Sequence, residues 1–335
     1  MADQRLGRMR RAPEFWSKRP GFLASCLVPL AWLYGGITAV RMSLKGRRAS
    51  VPVICVGNLV AGGAGKTPTA IRLAEALILS GKKPVFLSRG YGGNVTGPVL
   101  VDPTVHKTVD IGDEPFLLAR FAPVIVSRNR VRGAVLAATM GDVIVMDDGL
   151  QNPSIRKDFS LAVVDAGQGI GNGYCLPVGP LRAPLFAQWP KIDACLIIGE
   201  VSEASEAFAK SIPVPLFHGR LRPDARQEIG LNGLKILAFA GIGRPEKFFD
   251  TLEEAGALIE ERQMFADHYR YQRSEISEIL SKSKEKLLIP VTTAKDAVKI
   301  SEIMPEAMES IRVLEVGLVV EGHEDLLAFI MKKIS

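Results

Sequence analysis

Cysteine and histidine are both scarce in this chain. Its 335 residues include four cysteines and four histidines. The cysteines (Cys26, Cys55, Cys175 and Cys195) form no CxxC pair and show no other metal-ligand spacing, which argues against a zinc site and a disulfide framework. A chain of this length buries enough apolar surface for two domains without such cross-links. The sequence therefore predicts a globular protein of a reducing compartment.

Repeats, low-complexity tracts and a signal-peptide cleavage site are also missing. No internal period is visible, and no small-residue cleavage site follows the first apolar stretch. These absences argue against a repeat architecture and against a secreted, processed chain.

Positive charge is concentrated at one end of the chain. The net charge is +6, yet residues 1–50 alone hold ten basic and two acidic side chains, so the remaining chain is slightly acidic. A basic segment attached to an acidic body favours contact with an anionic membrane surface. It argues against a nucleic-acid groove across the body, and we expect no nucleic-acid partner.

An uncharged apolar stretch lies between the basic clusters, at residues 21–40. Twenty helical residues cover roughly 30 Å, the thickness of the hydrocarbon core of a bilayer. We predict an N-terminal membrane helix here. Pro29 and the pair Gly35 and Gly36 interrupt the run, so an in-plane or half-inserted anchor is an alternative.

From residue 51 onward, apolar runs alternate with helical patterns, which is typical of an α/β fold with a parallel sheet. The predicted strands are residues 51–56, 84–88, 124–127, 143–146, 161–164, 194–198, 235–240, 287–291 and 311–316, and the clearest predicted helices are residues 68–79 and 246–255. We predict an N-terminal anchor (1–48), a P-loop NTPase-like domain (49–212) and a smaller C-terminal α/β domain (213–335).

A glycine-rich loop joins the first predicted strand to the following helix. In this strand–loop–helix order, backbone N–H groups cradle phosphates and the helix N-terminus attracts anions. Lys66 is expected at the β- and γ-phosphates and the Thr67 hydroxyl at magnesium. Val60 stands where the usual pattern begins with glycine. The predicted nucleotide-binding residues are Val60, Ala61, Gly62, Gly63, Ala64, Gly65, Lys66 and Thr67.

Two carboxylates, Asp147 and Asp148, follow the predicted strand at 143–146. Ligands of α/β sheets bind beyond the carboxyl ends of their strands. Together with the glycine-rich loop, this pair predicts a magnesium site, although Asp-Asp-Gly is also an ordinary turn.

Two polar loops, at residues 88–93 and 110–115, adjoin the same expected crevice. Asp113 is a candidate general base for a substrate hydroxyl, and a helix N-cap explains it equally well. Arg128 and Arg130 are candidates for contacts with phosphate oxygens, with solvated helix-start charges as the alternative.

Eight ordered motifs make the chain resemble the lipid A 4′-kinases, also called tetraacyldisaccharide 4′-kinases. The motifs are VGNL at 56–59, GGAGKTP at 62–68, SRGY at 88–91, GDEP at 112–115, DDGLQ at 147–151, LPVGPLR at 176–182, FADH at 265–268 and VTTAKD at 291–296. They extend over most of the chain and are far more specific than a glycine-rich loop alone.

The resemblance implies an ATP- and Mg²⁺-dependent enzyme of the inner membrane, with its catalytic domains on the cytoplasmic face. Its substrate would be an acylated disaccharide 1-phosphate, phosphorylated at the 4′-hydroxyl to give lipid IVA, with inner-membrane lipids as its surroundings and no obligate protein partner. Asp113 would be the base and His268 its partner, beside Lys66. The implied substrate contacts are Asn58, Arg89, Tyr91, Arg130, Gln151 and Arg182.

The chain departs from the family pattern at two positions. Ala183 stands where a glutamate usually follows the arginine of the sixth motif, and Asn152 stands where histidine is expected after the fifth. Both departures concern the surroundings of the metal and substrate and leave the class of reaction unchanged.

Two other functions fit the glycine-rich loop. One is a P-loop kinase for a soluble sugar or nucleoside, which the apolar N-terminal stretch argues against. The other is a membrane-bound ATPase or GTPase switch. A guanine-reading motif is missing, since the similar residues 293–296 lack its asparagine and fall in the distal domain.

Overall fold

Two sheets organise the protein in the computed structural model, which describes residues 13–18, 20–201, 203–223 and 230–334. Among these residues, one sheet has nine strands and the other has four. Basic side chains of the expected N-terminal cluster at positions 5, 8, 10, 11 and 19 lie outside the described residues.

The strands are β1 (Val53–Asn58), β2 (Pro84–Ser88), β3 (Val99–Leu100), β4 (Val124–Val126), β5 (Val143–Asp147), β6 (Phe159–Asp165), β7 (Ala194–Ile198), β8 (Leu216–Pro223), β9 (Lys235–Ala240), β10 (Leu258–Met264), β11 (Ile289–Thr293), β12 (Arg312–Leu314) and β13 (Val316–Val320). The described α-helices are α1 (Phe22–Ser25), α2 (Val28–Ser43), α3 (Lys66–Leu79), α4 (Thr108–Ile111), α5 (Asp113–Leu118), α6 (Arg130–Ala137), α7 (Leu185–Gln188), α8 (Glu203–Lys210), α9 (Pro245–Glu254), α10 (Arg273–Glu285), α11 (Ala294–Ile303) and α12 (His323–Ile334).

The large sheet has the strand order β13-β8-β7-β6-β1-β5-β2-β4-β3. The strands from β8 to β4 in this order run parallel, and only the edge pairs β13 with β8 and β3 with β4 are antiparallel. The central strands are buried along their whole length because separate apolar clusters cover the two faces of the sheet. The predicted α/β fold with a mostly parallel sheet is confirmed.

The small sheet has the order β10-β9-β11-β12 and is parallel throughout. Strand β9 lies inside it and is buried beyond its first residue, with α9 on one face and α10 on the other. Strand β10 lies at an edge, where exposed positions alternate with partly buried ones, and residues 260–263 are all polar, so no uninterrupted apolar run marks it.

The predicted domain boundary at residue 212 does not coincide with a boundary between the two sheets. Strand β8, which follows that position, continues the large sheet, and β13 returns from the C-terminal end to pair with β8. Helix α12 also packs on the large sheet. The small sheet is therefore an insertion between β8 and β13, and we call the two parts the large lobe and the small lobe.

The predicted N-terminal membrane helix is not one continuous helix. Helix α1 ends at Ser25, and α2 begins at Val28 with Pro29 in its first turn. The 16 residues of α2 span roughly 24 Å, which is less than a hydrocarbon core. Across the described part of the chain, no helix has the length and apolar character needed to cross a membrane.

Candidate active site

The glycine-rich loop connects β1 at the centre of the large sheet to α3. Gly65 precedes the helix with a φ of 85°, and a Cβ placed on it would lie 2.7 Å from Ile198 Cδ1. Glycine is therefore required there for both conformation and space. The helix starts at Lys66, so its unpaired N–H groups and positive dipole end face the loop, as an anion site needs.

The unusual Val60 has a structural explanation. Its side chain is buried, and it pairs with Leu181 in an isolated antiparallel bridge. It is not among the described residues with a positive φ, so its backbone has no need of glycine. Its carbonyl accepts a hydrogen bond from Arg182 Nε at 3.0 Å. Val60 thus ties the start of the loop to the segment that carries Arg182.

Asp147 is the last residue of β5, next to this loop, and Asp148 follows it in a different environment. Asp147 is 2 % exposed, and its Oδ1 has no hydrogen-bond partner. Burial, together with repulsion from Glu114 and Asp148, raises its pKa to about 7. Asp148 has a φ of 51° and accepts two hydrogen bonds from Arg182 Nη1, at 2.8 and 2.9 Å. Burial opposes ionisation of Asp148, but Lys66 and Arg182 outweigh it and lower its pKa.

This carboxylate pair suits a hard cation. Lys66 Nζ lies 4.0 Å from Asp148 Oδ2, so the glycine-rich loop and the end of β5 face one another. The unpaired, repelled carboxylate of Asp147 is the kind of group that a divalent cation would stabilise. Among the described residues, no three His, Cys, Asp or Glu side chains group to hold a metal by themselves. Mg²⁺ commonly completes its coordination with water and substrate phosphates.

The two lobes meet at Asp113 and His268. His268 Nδ1 lies 2.9 Å from Asp113 Oδ1 and 3.0 Å from Oδ2, although the residues are 155 positions apart. Burial acts to raise the pKa of Asp113, but the hydrogen bond from His268 and the charge of Lys295 lower it to about 2. The same hydrogen bond raises the pKa of His268. Both partners therefore favour a carboxylate paired with a protonated imidazole.

The backbone conformation also positions these two residues for the contact. Gly112 precedes α5 and Asp113 is its first residue, so Asp113 is not the N-cap. Its Oδ1 does accept a hydrogen bond from the N–H of Glu114 at 3.1 Å. His268 has a φ of 57°, a conformation that is sparsely populated outside glycine and common at functional sites. The Tyr91 ring lies against the His268 ring, with centroids 5.6 Å apart.

A second contact between the lobes joins Glu114 to Lys295. Lys295 Nζ lies 2.6 Å from Glu114 Oε1, and Lys295 is the second residue of α11, which directly follows β11. The charge of Lys295 lowers the pKa of Glu114, and Lys66 acts in the same direction. Sequence reasoning assigned no role to either residue. The sequence did contain an indication for Lys295, because this residue follows the buried strand β11 within the VTTAKD motif at 291–296.

A third contact joins Asp165, at the end of β6, to the small lobe. Asp165 is buried, and its Oδ1 lies 2.6 Å from Nη1 of Arg244, the residue before α9. Its Oδ2 pairs with Lys247 in the first turn of α9. Its Oδ1 also accepts hydrogen bonds from the N–H groups of Gly167 and Gln168. Gln168 Nε2 in turn donates to the Ala61 carbonyl of the glycine-rich loop. No short motif in the sequence marks this cluster.

The predicted substrate contacts differ in their surroundings. Asn58 and Gln151 are internal, since Asn58 Nδ2 donates to the Gly62 carbonyl and Gln151 Nε2 donates to the Asn58 carbonyl. They support the glycine-rich loop from within. Arg89 and Tyr91 are exposed at the rim of the crevice, and Arg130 is buried, with Nη2 donating to the Asp147 carbonyl at 3.3 Å.

The two departures from the family pattern are accommodated locally. Ala183 is buried, and its carbonyl accepts a hydrogen bond from Gln188 Nε2 at 2.6 Å. Asn152 Oδ1 accepts hydrogen bonds from the N–H and hydroxyl of Ser154. In both cases the residue stabilises the loop that carries it.

Fold and site together define an α/β enzyme of the nucleotide-dependent class, with a phosphate-type loop, paired acids at a neighbouring strand end and an acid–histidine pair opposite them. The model of the tetraacyldisaccharide-1-P 4′-kinases (LpxK) matches residues 23–335. The chain belongs to this family.

Individual relatives agree with the family match. A tetraacyldisaccharide 4′-kinase of Methylobacterium nodulans is 52 % identical over 299 residues, covering 88 % of this chain and 89 % of the relative. One from Rhodopseudomonas palustris is 46 % identical over 328 residues, covering 97 % and 96 %. A crystal structure of an "apo" form of LpxK from Aquifex aeolicus in complex with ATP superposes with a TM-score of 0.75 at 27 % identity, covering 93 % of this chain and all of that one.

Proposed function

We propose that this protein transfers the γ-phosphoryl group of ATP to the 4′-hydroxyl of a tetraacylated disaccharide 1-phosphate, the lipid IVA-forming step of lipid A biosynthesis. The observation that carries the proposal is the Asp113–His268 pair, which the small lobe completes beside the loop of Lys66. Membership of the kinase family and the ATP bound by the Aquifex relative support the same reaction.

In this proposal, the large lobe binds the nucleotide. The N–H groups of residues 60–67 cradle the phosphates as a P-loop, and Lys66 contacts the β- and γ-phosphates. Thr67, Asp147 and Asp148 would hold Mg²⁺, and the ion would supply positive charge next to the transferred phosphoryl group. Arg182 keeps Asp148 ionised and oriented through its two hydrogen bonds.

The acid–histidine pair acts on the 4′-hydroxyl of the acceptor. Asp113 accepts the proton of the 4′-hydroxyl as its oxygen bonds to phosphorus and the bond to the ADP leaving oxygen breaks. His268 orients the carboxylate through Nδ1. A pKa of about 2 keeps Asp113 ionised at neutral pH, and a loose phosphoryl-transfer transition state needs only modest assistance from the base.

Membrane attachment is part of the proposal. One side of α2 packs on the large lobe, where a Cβ added to Gly35 would lie 3.2 Å from Pro184 Cγ and 3.3 Å from Cys175 Sγ, whereas large apolar side chains on other sides are exposed. Trp32 is 71 % exposed and Leu33 is 61 % exposed. We place this surface in the cytoplasmic face of the inner membrane, because an acylated substrate cannot leave a bilayer cheaply at about 0.8 kcal/mol per exposed CH₂.

The reaction is tested with γ-labelled ATP and the acylated disaccharide 1-phosphate in detergent micelles. We expect label in the lipid fraction that depends on both acceptor and Mg²⁺. ATP hydrolysis without labelled lipid would favour an ATPase switch, and label on a soluble sugar or nucleoside alone would favour a different kinase.

The membrane surface is tested separately by vesicle flotation. The double variant Trp32→Glu and Leu33→Glu should float less than wild type, since two charges oppose insertion into the interface. Leu79→Glu is a matched control, because Leu79 is an exposed leucine at the end of α3. Equal flotation of all three proteins would contradict the role of α2.

A further inference from the structure

The segment that carries His268, residues 265–271, connects β10 to α10, and we call it the histidine loop. Its backbone is held at two points. The Phe265 N–H donates to the carbonyl of Ala240 at 2.8 Å, and the Tyr269 N–H donates to the carbonyl of Ala266 at 3.0 Å. His268 lies between these points with its positive φ. The position of its imidazole therefore depends on the side chains that flank it in the loop.

Three aromatic side chains of the histidine loop pack against one another. The ring centroid of Tyr271 lies 5.0 Å from that of Phe265 and 5.4 Å from that of Tyr269. Tyr271 is only 6 % exposed, and it also meets the ring of Phe239 in β9 edge-on, with centroids 6.1 Å apart. Such tilted and edge-on contacts are the favourable geometry for aromatic pairs. Tyr271 thus connects the histidine loop to the core of the small sheet.

A buried ion pair on α11 lies against Tyr271. Asp296 is fully buried and Lys299 is 8 % exposed, with Lys299 Nζ 2.8 Å from Asp296 Oδ1 and 5.6 Å from the centroid of the Tyr271 ring. Asp296 Oδ2 accepts hydrogen bonds from the N–H of Gly241 at 2.9 Å and from the Thr293 hydroxyl at 2.8 Å. A buried charge pair with these contacts is difficult to displace, because moving one partner leaves the other uncompensated.

Gly241, directly after β9, shows how closely these groups pack. It is not among the described glycines with a positive φ, so conformation does not demand a glycine here. A Cβ added to it would lie 3.0 Å from Tyr269 Cβ, 3.1 Å from Asp296 Oδ1 and 3.2 Å from Tyr271 Oη. These distances are shorter than ordinary van der Waals contacts. The histidine loop therefore lies directly on the end of β9 and on the buried ion pair.

The same helix also holds the acid of the acid–histidine pair. Lys295 precedes Asp296 in the first turn of α11 and pairs with Glu114, the neighbour of Asp113. Helix α11 packs on α5, which begins at Asp113. One helix of the small lobe thus contacts the acid's helix on one side and the histidine loop on the other.

We propose that Tyr271 is a positioning residue for phosphoryl transfer: by packing between α11 and the histidine loop, it holds His268 in contact with Asp113. This inference rests on the proposed function, because it assigns Tyr271 to the same reaction. Tyr271 acts through His268 and takes no part in proton transfer itself. Burial, together with the charge of Asp296 and a hydrogen bond to it, raises the pKa of the Tyr271 phenol, which keeps it neutral.

The test compares Tyr271→Leu, which removes the ring, with Tyr271→Phe, which keeps it. Phe249→Leu is the matched control, because Phe249 is a buried aromatic residue of α9 in the other apolar cluster of the small lobe. All three full-length variants are compared with wild type in urea denaturation and in lipid phosphorylation. The control loses a comparable amount of buried apolar surface at a site away from the histidine loop.

We expect Tyr271→Leu to lower kcat by about tenfold or more and to leave KM for ATP unchanged, since a small displacement of a reacting group is costly and the nucleotide loop belongs to the large lobe. Tyr271→Phe should keep kcat within about twofold of wild type, because the ring contacts remain. Phe249→Leu should unfold at lower urea concentration and retain the wild-type kcat. A loss of kcat in the control as large as that in Tyr271→Leu would overturn the proposal.

A double variant tests the role of the ion pair. Asp296→Asn combined with Lys299→Met removes both charges together and keeps an oxygen for the N–H of Gly241. We expect kcat to fall severalfold, and addition of Tyr271→Leu should lower it little further than Tyr271→Leu alone, because both changes act on one ring. Losses that multiply would overturn the inference that the ion pair acts through Tyr271.

The pKa of His268, measured by NMR on histidine-labelled protein, reports the contact itself. The chain has four histidines, so the signal of His268 is assigned by its loss in His268→Gln. The charged groups that face the imidazole are Asp113, Asp267, whose Oδ1 lies 3.8 Å from Nε2, and Lys295. Tyr271→Leu changes none of them, so a shift in this pKa reports a change in position.

We expect the raised pKa of His268 to fall towards 6.5 in Tyr271→Leu, by roughly half a unit or more, and to stay at the wild-type value in Tyr271→Phe and Phe249→Leu. An unchanged pKa in Tyr271→Leu would overturn the positioning role. This titration needs neither ATP nor lipid. If wild type labels no lipid, the proposed function fails, and the titration still decides whether Tyr271 positions His268.

Discussion

The two lobes contribute to the site by different physical means. The large lobe presents Lys66 and Thr67 at the start of α3, after the loop that follows β1, and the aspartate pair at the end of the adjacent parallel strand β5. The small lobe reaches the same crevice with His268, Lys295 and Arg244, and each of these pairs with a carboxylate of the large lobe. In the proposed mechanism, nucleotide binding therefore depends on local backbone geometry, whereas acceptor chemistry depends on ionic contacts across the interface.

This contrast suggests how the lobes are held together. The contacts between them join Asp113, Glu114 and Asp165 of the large lobe to partly exposed charged side chains of the small lobe, unlike the continuous apolar clusters inside each lobe. Polar interfaces of this kind allow relative movement of domains. Breaking one contact should impair acceptor chemistry while leaving nucleotide binding intact.

The largest expected effect is in the large lobe. Lys66→Ala removes the proposed contact with the β- and γ-phosphates and should lower kcat/KM by on the order of a thousandfold or more. Circular dichroism should be unchanged, because Lys66 is at the start of α3 and outside the apolar core. Retained phosphoryl transfer would remove this loop from the mechanism.

Variants of the Asp113–His268 pair test directly whether acceptor chemistry and nucleotide binding depend on different lobes. Asp113→Ala and His268→Ala should each lower kcat by roughly a hundredfold or more, with the affinity for a fluorescent ATP analogue unchanged. The double variant should be little worse than the poorer single variant, because the two residues act as one unit. Losses that multiply would indicate independent roles.

The Glu114–Lys295 contact should have a smaller effect, mainly on stability. Lys295→Met leaves a carboxylate without its partner and should lower the free energy of unfolding by about 2 kcal/mol, since both side chains are roughly three-quarters buried. Adding Glu114→Gln should restore much of that loss in chemical denaturation. A double variant as unstable as the sum of both single variants would show that the pair is not coupled.

The smallest effect is the pH dependence of the acid–histidine contact. The raised pKa of His268 means that its stabilisation is complete below 6.5 and is lost as pH rises through the folded value. The lowered pKa of Asp113 means that its stabilisation is lost as pH falls from 3.8 towards about 2. The free energy of unfolding of the wild type, measured by urea denaturation, should therefore exceed that of His268→Gln by about 1–2 kcal/mol near pH 5 and by less at pH 9. An unchanged difference would contradict the charged pair.

Most strands were predictable because burial on both faces forces continuous apolar runs. Strands β2, β7 and β9 coincide with their predicted ranges. Strands β8 and β10 were missed because both contain several polar residues, which interrupt the apolar pattern. One continuous helix over residues 21–40 is not seen, because the chain breaks between α1 and α2.

For the candidate site, the resemblance had already named both Asp113 and His268. The described geometry places them in contact, and the roles assigned to them stay predictions. The Asp165 cluster with Arg244 and Lys247 could not be foreseen, because its members share no motif and are about 80 positions apart. Val60 looked irregular only because its bridge to Leu181 is a tertiary contact.

By itself, the sequence determined the strand and helix succession, the glycine-rich loop and the acidic strand end, because each depends on neighbouring residues and on the periodicity of burial. The tertiary structure alone decided that the chain returns to the large sheet at β13 and that ionic contacts join the lobes. It also decided that arginines from α2, the loop after it and α6 surround one cavity. Such juxtapositions arise from distant segments, and a linear pattern carries no record of the distances between them.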